Sequence, residues 1–585
     1  MNVMGPSAQA SSIFFKAQKI FKLLTYLNLT GFLWPQPAVI KDGYTADFVI
    51  VGGGTAGCII ASNLARQKVK VLLIEAGGQP AFETQLARLF PLAKNTDYDW
   101  NFTSVRDEIK HQYQKGEKTH LLQGKVLGGT SQVNFMWYGM GNPKDYQEWA
   151  DITNDPSWSY KELFPLIKRN EKLIDKQILN SPDVVFHGTK GRMKIKKYHS
   201  KMNDGFFEAY RELGYNVVND INPNHTLGYT NTYFTISDQK RKSTAYIFLS
   251  PEKDNPYLKV MYNSLATKIV FDKNKRATGV QVLTEDKKLI TVNAKKEIIV
   301  TAGAIKSPHL LMLSGIGPKD HLEDKRIKVI SDLPVGQNFL DQPSGLVVHK
   351  MEEAVTVRPP NPYKFPAYII EGRVAIKKYQ SRADYQVFHG VIEPSYFLIL
   401  CNFVFTFKDE LCDRFYKKKE DRKVNLIGIN LLYAESRGEL LLNSTDPEDS
   451  PLIDPGYYSK KRDLERHAEY LEHYNTIVDS SYYKRIDAKF IDPELETCRG
   501  LKIGSKDYWK CYVQGMVSTF HNYAGTCAMG SVVDSELRVK GVKNLRVADA
   551  SVMPAHIGSN LQGTVMVIAQ KLTDMLANDY DLCYM

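Results

Sequence analysis

The chain has 585 residues, 43% of them hydrophobic, and 76 basic against 65 acidic side chains, a net charge of +11. That length exceeds what one small core requires and points to two or more closely joined domains. The positive excess is spread along the chain, which argues against nucleic-acid binding; short clusters such as Lys417 to Lys423 read as solvated surface.

At the N-terminus, Lys16, Lys19 and Lys22 surround the start of an apolar run reaching Trp34 and interrupted by Thr25, Asn28 and Thr30. Its basic start and apolar centre fit a secretory leader poorly. The alternative is a helix packed on the domain surface, so secretion and a cytoplasmic location both stay open. N-x-S/T sequons occur at Asn28, Asn101, Asn224 and Asn443. The cysteines (Cys58, Cys401, Cys412, Cys498, Cys511, Cys527, Cys583) include no C-x-x-C pair, which argues against a zinc site. Cys498 and Cys511 are the nearest to a disulfide pair, and the odd count leaves one thiol over. The most apolar run, Tyr396 to Phe407, is broken and too short to span a bilayer. It reads as a core strand or as the wall of a greasy cavity.

The segment from Ala46 holds the clearest local pattern. Phe48 to Val51 is a β-branched apolar run suited to a strand buried on both faces. Gly52, Gly54 and Gly57 follow in G-x-G-x-x-G spacing, then Thr55, Ala56 and the residues to Arg66 at helical periodicity. A second apolar strand, Val69 to Ile74, ends at Glu75, 18 residues after Gly57. The glycines allow a tight turn, backbone approach to a pyrophosphate, and close packing of helix on strand. The helix N-terminus offers free N–H groups to phosphate, and Glu75 an acceptor for ribose hydroxyls. Strand, glycines, helix, strand and acid in register predict a dinucleotide site, without separating NAD from FAD.

Further along, Gly124 to Trp149, Arg241 to Leu249, Gly303 to Gly317 and Val335 to Pro343 occur in an order that resembles the glucose–methanol–choline (GMC) flavoprotein oxidoreductases. The resemblance runs from about residue 44 to residue 576. It implies FAD as cofactor, gripped also by Gly128, Gly129, Thr130 and Ser131, by Asn134, Phe135, Met136 and Trp137, and by Ala266, Asp549, Ala550 and Gln562. Attachment is expected to be noncovalent, because Gly128 to Tyr138 contains neither histidine nor cysteine. The implied fold is α/β: a Rossmann-like FAD-binding domain with an inserted α+β substrate-binding domain on an antiparallel sheet. The expected division is 44–345 for the N-terminal FAD region (with a substrate-domain insert at about 150–250), 346–529 for the substrate domain, and 530–585 for a segment completing the FAD domain.

The implied chemistry is oxidation of a carbinol, with hydride passing to the flavin and a proton to a base. Asn560 falls at the family's second oxygen-binding position. The first position is displaced: the family reads H-x-x-G-T, whereas His521 is followed by Asn522, Tyr523, Ala524, Gly525 and Thr526, one residue too many. Either a bulge absorbs the extra residue and His521 serves as base, or Asn522 takes the place and the site lacks a titratable base. His556 is a substitute candidate; Asp341 is followed by Gln342 where the family often has histidine. The resemblance, closest in style to the insect branch, implies an alcohol substrate, either an ecdysteroid or another apolar alcohol, and O2 or another electron acceptor. The rivals on the same fold are a hydroxynitrile lyase-type enzyme and a catalytically impaired FAD-binding homologue.

Overall fold

A computed structural model describes residues 5–27, 29–107, 109–354, 363–365, 367–377, 379–419 and 422–582; Asn28 and Cys583 lie outside the described residues. Thr45–Val51 forms the centre of a mixed sheet, parallel to Val71–Ile74 on one side and Leu289–Val300 on the other. Leu258–Met261 extends it beyond Val71–Ile74, and Ala277–Leu283 with Leu265–Phe271 close the far side as antiparallel strands. Phe48, Val49 and Ile50 are fully buried, as a continuous apolar strand covered on both faces must be. The helices Thr55–Arg66 and Gln562–Asp579 cover it and touch through Asn63 Nδ2, which donates to Gln570 Oε1 at 3.3 Å.

The last segment returns to this first sheet through Leu545–Val547, parallel to Leu289–Val300. Arg546 fixes it there. Its fully buried guanidinium donates to both oxygens of Glu297 at 2.7 and 3.0 Å, to the Glu536 carbonyl, and to Asp579 on the final helix. A planar five-donor fork matches such a set of acceptors.

A second sheet is antiparallel, in the order Lys489–Phe490, Pro343–Ala354, Arg422–Leu431, Tyr385–Ile392, Ile369–Val374 and Gly228–Asn231. Val517–Thr519 pairs with Pro343–Gly345 at its end. Strand alternation sorts the side chains into two faces. Leu346, Phe388, Ile392 and Leu426 line a cavity, whereas His389 points the other way and meets the Tyr210 hydroxyl at 2.8 Å.

Tyr396–Phe407 departs from the strand expectation. Pro394–Ile399 is α-helical and Leu400–Val404 a π-helical turn, with Pro394 in the first turn. The segment is apolar on all sides because it is buried on all sides, so no two-residue period was there to test. Its side chains do wall a cavity, as the alternative held. The start of the N-terminal run lies in the surface helix Pro6–Tyr26 and its end in a separate turn at Gly31–Leu33; the helix is docked by Phe14 stacked on Phe403 at 3.8 Å and by the Ser7 amide donating to Asp413. Among the described residues, no helix is long and apolar enough to cross a membrane.

Cys498 and Cys511 form the expected disulfide, and Cys401 pairs with Cys412, which apolar surroundings had hidden. Cys58 and Cys527 are buried free thiols. Removing the Cys498–Cys511 bridge with Cys498→Ser and Cys511→Ser is expected to cost about 2–4 kcal/mol, measured by denaturant unfolding. An unchanged midpoint would contradict the pairing.

Candidate active site

The glycine turn lets neighbouring stretches of backbone approach closely. Gly57 lies inside the first helix, where an added Cβ would sit 2.0 Å from the Gly52 carbonyl oxygen. On the facing loop, a Cβ on Gly129 would lie 2.7 Å from Gly54 Cα. Only glycine permits either approach. Glu75 braces the turn: its carboxylate accepts the Gly53 and Gly77 amides, each at 2.8 Å. Burial pushes its pKa up to about 7 against those bonds.

Beside this turn runs a cavity with about 1490 Å³ of empty space. Gly52, Gly54, Thr55, Ala56, Glu75, Gly129, Thr130, Ser131, Asn134, Phe135, Met136, Trp137 and Ala266 line it. So do His521, Asn522, Asp549, Ala550, Asn560 and Gln562. Two expected residues do not: Gly57 packs behind the wall, and Gly128 turns the loop against Ala245. Gln562 gives the cofactor test. Its Oε1 accepts from Asn134 Nδ2 at 2.7 Å, and its buried Nε2 has no partner. A buried amide donor at a helix N-terminus calls for an acceptor on a ligand, preferably an electron-rich one. With the glycine cradle and Glu75, the residues fit a flavin dinucleotide. Asn134 is held in turn by Arg241, which is buried and donates to its Oδ1 at 2.7 Å.

The displaced histidine is resolved just beyond Val517–Thr519. The Thr519 hydroxyl donates to Asp341 at 2.6 Å and accepts the His521 amide at 2.7 Å. His521 has φ +60°, so the extra residue is absorbed by a left-handed turn past the strand end, not by a bulge within it. Both His521 and Asn522 consequently reach the cavity, together with Asn560. The Asn522 amide donates to Asp341, and its Nδ2 to Gln342 Oε1 at 2.9 Å. His521 Nδ1 accepts the Leu122 amide at 3.3 Å, and its ring lies edge-on to Phe135. Burial, reinforced by Lys94 and His120, holds its imidazolium form well below the usual histidine range. His556 is buried beside Arg437 and lines no part of this cavity, so the substitute-base expectation fails.

Next to the site lies a second, apolar chamber with about 520 Å³ of empty space, sharing Phe135, Trp137 and Phe520 with the first. Trp137 stacks on Phe388 at 4.2 Å and on Phe520 at 5.7 Å. Among the described residues, the lining side chains carry two polar atoms. The Tyr396 hydroxyl already donates to the Arg88 carbonyl, whereas Trp137 Nε1 is buried without a partner. Sequence reasoning missed Phe520, Leu122 and Trp100 in these walls, which carry no motif role, and His309, which lies inside the Gly303 to Gly317 block without a site role assigned to it.

A Rossmann-type cradle, an unpaired donor on a helix N-terminus and polar side chains converging beside an apolar chamber define a dinucleotide-dependent oxidoreductase. Comparison with known sequences is more specific: the N- and C-terminal models of the GMC oxidoreductases match residues 46–344 and 434–569, and the chain belongs to that family. It is 33% identical to ecdysone oxidase of Spodoptera littoralis over 94% of each chain. It is 29% identical to glucose dehydrogenase [FAD, quinone] of Drosophila melanogaster over 91% of this chain and 86% of that one. Among solved structures, pyridoxine 4-oxidase from Mesorbium loti superposes with a TM-score of 0.76 at 26% identity, covering 91% of this chain and 99% of that one. The protein is an FAD-dependent oxidoreductase acting on CH–OH donors.

Proposed function

We propose that the substrate is an alcohol with an apolar, ring-containing body, oxidised to the corresponding carbonyl. The observation that carries this is the aromatic chamber, whose wall is continuous with the residues around His521 and Asn560. Burying such a body contributes roughly 25 cal/mol per Å² of apolar surface. FAD, when bound, supplies the hydride acceptor. Gln562, steered by Asn134, holds its edge. His521, Asn522 and Asn560 surround the substrate oxygen, and the aromatic wall excludes water from it.

The resemblance to ecdysone oxidase brings an ecdysteroid into the candidate set. The chamber's walls match the apolar character of a sterol nucleus, but each extra hydroxyl buried there needs a partner, and among the described residues the lining side chains leave only Trp137 Nε1 free. Alcohols with few additional hydroxyls are therefore favoured over polyhydroxylated ones. Electrons leave to O2 or another acceptor, which peroxide release in air distinguishes. The two disulfides support passage through an oxidising compartment.

The test is anaerobic mixing of the yellow holoenzyme with sterols, ecdysteroids, aromatic alcohols and sugars. The flavin band is expected to bleach with apolar alcohols at the lowest concentrations. Bleaching by sugars alone would overturn the substrate class. Carbonyl release without bleaching would mark a lyase.

A further inference from the structure

We propose that the helix Pro6–Tyr26 rests the protein on the surface of an anionic lipid bilayer, with its outward face in the headgroup layer. Ile13, Ile20, Leu23 and, just past the helix end, Leu27 are 59–66% exposed. Their spacing of seven, three and four residues sets them on one stripe, opposite the side where Phe14 and Phe21 are buried. Single exposed apolar side chains are ordinary on a protein surface. Here they are concentrated: among the described residues, eight of the eighteen large apolar side chains that stand exposed fall between residues 13 and 39.

The charge pattern identifies what covers the stripe. The helix contains Lys16, Lys19 and Lys22 and no acidic residue. Lys16 lies within the stripe, three residues after Ile13, and Lys19 borders it; both are exposed. Lys22 is engaged by Asp97 at 3.2 Å. A second copy of this face would set lysines against lysines with no carboxylate between them. A lipid surface instead accepts both kinds of side chain: the lysine stems lie along the apolar stripe while their ammonium groups reach the phosphates. The helix is not apolar enough to cross the bilayer, so it lies in the plane of the surface.

The helix is fastened to the body of the protein. Besides Phe14 on Phe403 and Ser7 on Asp413, Gln18 Nε2 donates to the carbonyls of Leu92 and Lys94 at 3.2 and 2.8 Å. Phe403 belongs to the turn Leu400–Val404, and Leu92 to the turn Ala87–Ala93. Leu400, Val404 and Phe90 of the same two elements line the apolar chamber. The helix thus lies over the outer side of the chamber wall. On the proposed substrate reading, apolar alcohols collect in the leaflet, and docking holds the chamber beside them.

The test is cosedimentation of the full-length holoenzyme with vesicles of phosphatidylcholine, alone or mixed with phosphatidylserine. Binding is expected on the mixed vesicles and should be weaker by about tenfold or more on phosphatidylcholine alone. Ile20→Ser with Leu23→Ser should lower affinity for the mixed vesicles by about 10–100-fold. Lys16→Glu with Lys19→Glu should abolish the preference for phosphatidylserine. These four side chains are exposed and line neither cavity, so flavin absorbance and reduction by benzyl alcohol in solution should match the wild type. Equal sedimentation of wild type and the serine variant, or none with either vesicle, would overturn the proposal. So would a dimer that the serine variant disperses, or an intact mass showing that Pro6–Tyr26 is removed from the native protein. Vesicle binding needs no turnover, so it fails independently of the substrate reading.

Discussion

Replacing Gly57 with alanine is expected to yield a protein that is colourless on purification and melts well below the wild type. The added methyl would lie 2.0 Å from the Gly52 carbonyl oxygen and 2.8 Å from Thr301 Oγ1. Neither neighbour can yield cheaply. The Gly52 carbonyl belongs to the phosphate turn, and the Thr301 hydroxyl donates to it at 2.7 Å. The helix Thr55–Arg66 must therefore move off the sheet, carrying its N-terminus away from the diphosphate. Overpacking of this kind costs roughly 1–3 kcal/mol of stability. Misplacing the helix amides should cost a similar amount of FAD binding, about 10–100-fold in affinity. Visible absorbance after FAD titration and a thermal melt read the two effects separately. A yellow Gly57→Ala protein with an unshifted melt would show that helix and turn are not packed as described.

Arg546→Leu should be the most damaging change outside the cofactor site, at about 3–5 kcal/mol, the range for breaking a buried ion pair from one side. The arginine is 1% exposed and joins the final strand to Glu297 and to Asp579 on the final helix. Deleting it leaves Glu297 buried, with only the Tyr580 hydroxyl among the described residues, at 2.9 Å, still donating to its carboxylate. The double variant Arg546→Leu, Glu297→Leu should recover part of the loss, because the stranded charge goes with its partner. Equilibrium unfolding of the single and double variants measures this. Equal stability of Arg546→Leu and wild type would contradict the anchoring role.

The contrast between what was and was not legible in the sequence follows the range of the interactions. The nucleotide cradle is local: Gly52, Gly54, Gly57 and Glu75 fall within one βαβ unit, where spacing reflects geometry directly. Apolar residues recurring at Val565, Ile568, Leu572 and Met575 encode the helix Gln562–Asp579 just as locally. The chamber was not. Leu346, Phe388, Leu426 and Phe520 come from strands and a turn whose register is set by pairings across the second sheet. No local period encodes which of them meet. The ring orientation of His521 is the extreme case, because the Leu122 amide that donates to it lies 399 positions away in the chain. Motif counting could show that a residue was displaced, but not that the chain absorbs it in a left-handed turn which keeps both neighbours in the site.

One alcohol is expected to lie with its hydroxyl among His521, Asn522 and Asn560 and its body against the wall that the stacked Trp137, Phe388 and Phe520 form. A crystal structure of the holoenzyme, reduced and soaked anaerobically with benzyl alcohol, tests it most directly. The expected result is the hydroxyl oxygen within hydrogen-bonding distance of His521 Nε2, with the ring enclosed by the aromatic wall. A ligand whose hydroxyl is bound elsewhere, or a His521 ring turned out of the cavity, would contradict it.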